Sequence, residues 1–287
     1  MIESPVQFGS EQALIGVLTQ PAVMTGTPEV VYLLFNAGVI PRIGTHRLNV
    51  KIARALGSHG QVTLRFDLSG QGDSRHVGGD GDFRAQAVRD LRAAMDHLEQ
   101  TLGVRRFALI GVCSGAVNAY WTSLADARVA GVLMVDGFWY RSRWTRWVRH
   151  WKRFRAIPWS EVAAVVKRRI ATLGAARANA PAAAADLFAE DSALANPPRQ
   201  EFVRAMSELV ARRTAVFLLY GGSVIDYYSY GGQFRDVFGG EPWLDAVRCD
   251  YRPEIDHTFV ALDVQQRMVD LVVGWMPEVG RAGRLPS

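Results

Sequence analysis

The segment between residues 107 and 125 constrains the fold most, because it predicts a strand that turns sharply into a helix. Residues 107–110 form an apolar run, and a helix is predicted to begin near Ala116. Between them stands Gly-Val-Cys-Ser-Gly, in which the small residues two places before and after Cys113 allow a tight turn. A strand joined this closely to a helix is typical of α/β sheets.

The rest of the chain alternates between apolar strands and amphipathic helices. The first two predicted strands are close in sequence and should form an antiparallel hairpin, and the later alternation predicts a mostly parallel sheet with helices on both faces. Residues 277–287 are expected to form a frayed tail. The predicted strands are 6–8, 13–18, 30–35, 62–66, 107–110, 129–135, 216–220 and 247–251, and the predicted helices are 46–56, 84–102, 116–125 and 260–275.

Residues 139–213 interrupt this alternation with a helix-rich segment. Helices are predicted within 139–155, over 161–173 and over 200–212, separated by an alanine-rich stretch. The segment lies between two core strands, on the side where the loops after the strands gather. We therefore expect a helical cap over a core formed by residues 1–138 and 214–287.

The composition favours a folded protein of the cytoplasm that needs no cofactor. Of the 287 residues, 49% are hydrophobic, which predicts a packed core. The chain has no apolar run of about 18 residues, which a membrane span needs, and its N-terminus lacks the pattern of a secretory signal. Only two cysteines occur, which excludes a disulfide framework and a four-thiolate metal site.

The turn around Cys113 carries the predicted chemistry. Gly-Val-Cys-Ser-Gly has the spacing of the G-x-S-x-G nucleophile elbow, with cysteine in place of serine. A position at the start of a helix favours the thiolate form of Cys113. Two alternatives stay open: Ser114 is the nucleophile, or Cys113 is a buried and inert residue. Cys249 lies within a predicted strand and is expected to be structural.

A thiol nucleophile needs a base and an acid that orients this base. Among the six histidines, His257 is the strongest candidate, because it follows the last predicted strand and its loop should lie over the carboxyl edge of the sheet. Asp226, after the preceding strand, is the predicted acid. Asp136, at the end of the 129–135 strand, is the alternative.

The site also needs donors for an oxyanion and groups that bind the substrate. The N–H groups of Ser114 and Val39 are the predicted oxyanion donors, with Gly38 as the next choice in the loop after the 30–35 strand. His46 and Arg47 follow that loop and are candidates for contact with the substrate.

Three motifs occur in order along the chain: RIGTHR at 42–47, LRFD at 64–67 followed by GQGDS at 70–74, and GVCSG at 111–115. With them the chain resembles the α/β-hydrolases, and more narrowly the exosortase-A-system-associated hydrolases of bacterial exopolysaccharide clusters. The resemblance implies an α/β-hydrolase fold with the catalytic residues in the order nucleophile, acid, base. The glycine-rich turn at 70–74 is expected to be structural and not a phosphate site.

A basic, aromatic segment spans residues 139–155. It carries seven Arg or Lys residues and no acidic residue, whereas acidic residues outnumber basic ones in the rest of the chain. Trp144, Trp147 and Trp151 share one helical face, so they either pack into the cap or contact a substrate. The predicted partners are an acidic acyl-carrier protein, coenzyme A or an anionic membrane surface. Nucleic acid is not expected, because no binding motif accompanies the charge.

These residues predict an enzyme that cleaves an ester or a thioester through an acyl-cysteine intermediate. The leading alternative is an acyltransferase that moves the acyl group from a carrier protein or coenzyme A to an amine or alcohol. A third hypothesis is a non-catalytic accessory protein that binds acylated intermediates.

Overall fold

The fold is an eight-stranded sheet with helices on both faces. The computed structural model describes residues 1–24, 26–76, 82–155 and 196–282. The strand order is β1-β2-β4-β3-β5-β6-β7-β8. The strands are β1 (Ile2–Phe8), β2 (Leu14–Gln20), β3 (Val31–Leu34), β4 (Val62–Phe66), β5 (Phe107–Val112), β6 (Val129–Val135), β7 (Ala215–Gly221) and β8 (Arg248–Arg252).

The sheet directions match the sequence prediction. β1 and β2 form an antiparallel hairpin, and β2 also pairs antiparallel with β4. From β4 to β8 every pair is parallel. The carboxyl ends of β3 and β5 to β8 therefore lie along one edge of the sheet, where the loops that follow them can meet.

Seven α-helices occur among the described residues, and the long ones bury one face against the sheet. α2, α3 and α5 pack on one side, where Leu91, Tyr120 and Phe202 are buried, whereas α1 and α7 cover the other side with Leu56 and Met268. The helices are α1 (Leu48–Ser58), α2 (Phe83–Leu102), α3 (Ser114–Ala125), α4 (Thr145–Arg155), α5 (Arg199–Ala211), α6 (Gln233–Phe238) and α7 (Leu262–Arg281).

The prediction of a frayed tail from residue 277 is wrong for its first part. α7 continues through Pro277 to Arg281, and Val279 is fully buried. The guanidinium of Arg106 donates hydrogen bonds to the carbonyl oxygens of Val279, Gly280 and Ala282. This side chain satisfies the carbonyl groups that the end of a helix leaves unpaired. Residues 283–287 lie outside the described residues.

The predicted cap is too long at its C-terminal end. α5 falls within the predicted 139–213 segment, yet it packs against α3 and β7 and buries Phe202, Met206 and Leu209 in the core. The boundary of the insertion therefore lies before Arg199. α4 forms the predicted helix of the basic segment. The predicted helix 161–173 and the alanine-rich stretch lie outside the described residues.

Candidate active site

Cys113 lies at the apex of the turn between β5 and α3. Its backbone has φ 56° and ψ −121°, which non-glycine residues rarely adopt. The Cys113 N–H donates a hydrogen bond of 2.9 Å to the carbonyl of Val135, which ties the turn to β6. A Cβ on Gly111 would lie 2.3 Å from the Gly115 carbonyl oxygen, so only glycine allows the turn to close this tightly. This strained geometry is the one expected of a nucleophile elbow.

His257 reaches the site because its loop folds back over the end of β7. The Ile255 carbonyl accepts a hydrogen bond of 2.7 Å from the Gly222 N–H, and Ser223 Oγ accepts one of 2.8 Å from the His257 N–H. A Cβ on Gly222 would lie 2.2 Å from the Pro253 carbonyl oxygen. The loop can therefore lie this close to β7 only because residue 222 is glycine.

The carboxylate beside His257 belongs to Asp136, the alternative from the sequence, and not to Asp226, the residue predicted first. His257 Nδ1 lies 2.8 Å from Asp136 Oδ2, and the Gly221 N–H donates a hydrogen bond of 2.7 Å to Asp136 Oδ1. The Asp136 side chain is only 1% exposed. Asp226 is 48% exposed and forms an ion pair of 3.6 Å with Arg149.

The strand order explains why Asp136, and not Asp226, lies beside His257. Asp136 is the first residue after β6, which lies between β5 and β7 in the sheet. The side chain is thus held beside the elbow at the edge of the sheet. Asp226 comes after a further helical turn, Gly222–Val224, and its carboxylate pairs with Arg149 instead.

The electrostatics of the site favour a charged His257. Its hydrogen bond with Asp136, followed by its hydrogen bond with Cys113, raises the pKa of His257 from 6.5 to about 10 against the opposing effect of burial. At neutral pH the ring is therefore an imidazolium placed between a carboxylate and a sulfur atom. A neighbouring imidazolium favours the thiolate form of a cysteine, and the thiolate is the nucleophilic form.

We expect the stability difference between the wild type and His257→Gln to shrink as the pH rises. The pKa of His257 is about 10 in the folded chain and 6.5 ordinarily. A raised folded pKa stabilises the protein fully below about pH 6.5, and this contribution is lost as the pH approaches about 10. Urea unfolding of both proteins at the two pH values measures the change. If the two proteins differed equally in unfolding free energy at about pH 6.5 and at about pH 10, this expectation would be contradicted.

The loop after β3 lies against the elbow through Gly38. The Gly38 N–H donates a hydrogen bond of 2.6 Å to Ser114 Oγ. Gly38, the second choice from the sequence, is thus a loop residue whose amide is hydrogen-bonded to the elbow. Val39 has a side chain that is 89% exposed, and no described hydrogen bond joins its amide to the elbow. The Ser114 N–H lies at the start of α3, and no described hydrogen bond uses it.

A buried polar network that the sequence analysis missed fixes this loop. Asn36 Nδ2 donates to Asp67 Oδ1 at 3.2 Å, and Asn36 Oδ1 accepts from the Leu68 N–H at 2.6 Å. Arg42 forms ion pairs with both Asp67 and Asp73. The glycine-rich turn at 70–74 thereby anchors the loop after β3, which is the structural role predicted for it. The sequence signal was that Asn36 and Asp67 each directly follow a predicted strand.

The other candidate residues lie outside this cluster. His46 and Arg47 are exposed, and both have positive φ angles at the start of α1. Trp144 is 47% exposed and Trp147 is 60% exposed, with Trp147 stacked on Trp151 at 5.9 Å. No described contact joins these side chains to Cys113 or His257, so their roles stay predictions.

Cys249 has the structural setting predicted for it. Its sulfur lies 3.5 Å from the Tyr228 hydroxyl, and burial raises the pKa of the thiol to about 12. Within the described residues no cluster of three His, Cys, Asp or Glu side chains is placed to hold a metal ion. None of the described helices is long and apolar enough to cross a membrane.

Comparisons with known proteins agree with this architecture. The model of a family described as "Alpha/beta hydrolase family" matches residues 43–276. A serine hydrolase without lid from Xanthomonas campestris is 15% identical, with a TM-score of 0.52 over 99% of this chain and 97% of that chain. An esterase from Pyrococcus furiosus is 14% identical, with a TM-score of 0.55 over 96% and 91% of the two chains. None of the curated proteins compared matches the chain. At these identities the two solved structures show a shared fold alone.

Proposed function

The chain belongs to the alpha/beta hydrolase family, and we propose that it cleaves an ester or thioester through an acyl-cysteine intermediate. The observation that carries the proposal is Cys113 at the apex of a strained elbow beside His257, whose Nδ1 lies 2.8 Å from Asp136 Oδ2. Nucleophile, base and acid lie on three different loops of one sheet edge, which is the arrangement that acyl transfer needs.

In the proposed mechanism the Cys113 sulfur attacks the carbonyl carbon, and the carbonyl electron pair moves onto oxygen. The N–H groups of Ser114 and of the loop at Gly38 or Val39 stabilise this oxyanion. For Gly38 to donate, Ser114 Oγ must give up the hydrogen bond that it now accepts. Collapse breaks the bond to the leaving alcohol or thiol, which takes a proton from His257. The neutral His257 then removes a proton from water, which attacks the acyl-cysteine and releases the acid.

Acyl transfer to an amine or alcohol is the second candidate, and the sulfur nucleophile is the observation that favours it. A thioester intermediate reacts readily with amines, so the same three residues would serve an acceptor other than water. The narrower kinship with exosortase-A-system-associated hydrolases also remains a proposal, supported by the motifs at 42–47, 64–74 and 111–115.

We expect a covalent adduct on Cys113 when the protein is mixed with a simple acyl-thioester such as an acyl-N-acetylcysteamine. Intact-mass spectrometry after rapid quenching, followed by peptide mapping, locates the acyl group. The chain offers a matched control, because Cys249 is its only other cysteine. The Cys249→Ala variant should keep the adduct and Cys113→Ala should lose it. An adduct on Ser114 or Cys249 would overturn the assignment. The absence of both adduct and turnover would favour the non-catalytic alternative.

A further inference from the structure

A basic cavity lies near the active site, and we propose that it binds the phosphate of a phosphopantetheine thioester. The proposal rests on the thioester cleavage proposed above and names its substrate class. The cavity has a volume of about 270 Å³, and Arg141, Arg143, Arg146 and Arg149 line it. Among the described residues, Asp226 is the one acidic residue that lines it. Four guanidinium groups around one carboxylate leave a strong positive excess, which attracts a multiply charged anion.

The start of α4 adds to this positive potential. α4 begins at Thr145, has eleven residues and carries no acidic residue in its first turn. The positive end of the helix dipole normally favours anions, so Arg146 in this first turn is electrostatically opposed by its own helix. An anion bound between Arg146 and the helix start would remove this conflict.

Hydrogen bonds between its lining residues hold the wall of this cavity in place. Ser142 Oγ accepts a hydrogen bond of 3.1 Å from the Trp144 N–H and lies 2.7 Å from the Tyr230 hydroxyl. Thr145 Oγ1 accepts a hydrogen bond of 2.9 Å from the Ser142 N–H, so the wall at the start of α4 is held in place. Arg149 Nε is buried and has no hydrogen-bond partner among the described residues. A buried guanidinium N–H without an acceptor is costly, and a phosphate oxygen would satisfy it.

The cavity is also within reach of the candidate nucleophile. Asp226 lines it, and Ser223 contacts the His257 backbone. Three residues of chain span at most about 11 Å, so the Asp226 Cα lies within that distance of the Ser223 Cα. In a phosphopantetheine thioester a long, flexible arm separates the thioester carbonyl from the phosphate. The carbonyl can therefore lie at Cys113 while the phosphate occupies the cavity.

Binding tests the cavity without relying on turnover. Isothermal titration of the full-length Cys113→Ala protein should show that 4′-phosphopantetheine binds about tenfold or more tightly than pantetheine, because charge-assisted hydrogen bonds are worth about that factor. The Arg143→Gln/Arg146→Gln double variant should lose this difference. The matched control is Arg105→Gln/Arg267→Gln, which removes two exposed charges elsewhere and should keep it. Equal binding of both compounds would overturn the proposal.

Kinetics tests the same site in the active protein. The ratio of kcat/KM for acyl-phosphopantetheine over acyl-pantetheine should be about ten or more in the wild type and should fall toward one in the arginine double variant. An unchanged ratio in that variant would contradict the cavity while leaving thioester cleavage intact. Failure to cleave any ester or thioester would contradict the proposed function, and the titration would still decide the cavity.

Two sources can supply this phosphate, and the same assay separates them. Acyl-coenzyme A carries further phosphates, whereas an acylated carrier protein presents the single phosphate on an acidic surface. A higher kcat/KM for acyl-coenzyme A than for acyl-phosphopantetheine assigns the free coenzyme. A preference for the loaded carrier protein assigns the protein-borne form.

Discussion

Replacing Cys113 by alanine is expected to lower kcat/KM for ester or thioester cleavage by about 10⁴-fold or more, since nucleophile removal in triad enzymes has effects of that size. The variant removes the only atom that we propose forms a bond to the substrate. Alanine keeps the Cβ, so the elbow with φ 56° carries the same backbone strain as in the wild type. The loss should therefore appear in turnover and not in folding, which stopped-flow kinetics and thermal unfolding measure separately.

Two further variants make this result specific. Cys249→Ala removes the partly buried thiol beside Tyr228 and should keep turnover, because Cys249 lies on β8, three strands from the β5 elbow. Cys113→Ser should retain more turnover than Cys113→Ala, because a hydroxyl at the same apex can still be deprotonated through His257. Full turnover in Cys113→Ala would contradict the role of Cys113 as nucleophile and favour Ser114 in that role.

The sequence was sufficient for the sheet and most of its elements. Periodicity identified every strand, and 62–66 and 129–135 coincide with β4 and β6. The end of α7 was missed because Pro277 suggests a helix end, whereas burial of Val279 and the bonds from Arg106 keep the helix intact. α5 was assigned to the cap because position in the chain does not reveal which layer a helix packs against.

In the candidate site, too, some residues could be predicted from the sequence and one could not. Cys113 and His257 could be predicted, because each stands beside a strand end with a local turn signal. The acid could not, because choosing between Asp136 and Asp226 depends on which loop His257 reaches in three dimensions. The glycine pair Gly221-Gly222 was the missed signal: it lets the His257 loop lie close over β7 and directs the ring to Asp136.

The choice of acid leads to the second large effect: Asp136→Asn is expected to lower kcat by about 10³- to 10⁴-fold, as removal of the acid's charge does in other catalytic triads. Asp136 accepts from both the Gly221 N–H and His257 Nδ1. An asparagine amide has only one acceptor oxygen. If its NH₂ faces His257, the ring must carry its proton on Nε2, where it can no longer take the thiol proton. If its oxygen faces His257, the NH₂ meets the buried Gly221 N–H.

The same variant should also lower the pKa of His257, because the hydrogen bond with Asp136 is the largest cause of its rise. An NMR titration of the ring nitrogens separates this effect from misfolding, which would broaden signals across the whole chain. Asp226→Asn is the matched control, since it removes one carboxylate from the alternative position. Asp226→Asn should lower kcat for a simple ester by less than about tenfold, which corresponds to about 1.4 kcal/mol. A larger loss in Asp226→Asn than in Asp136→Asn would return the acid to Asp226, because only a carboxylate that orients His257 can produce both the kinetic loss and the change in pKa.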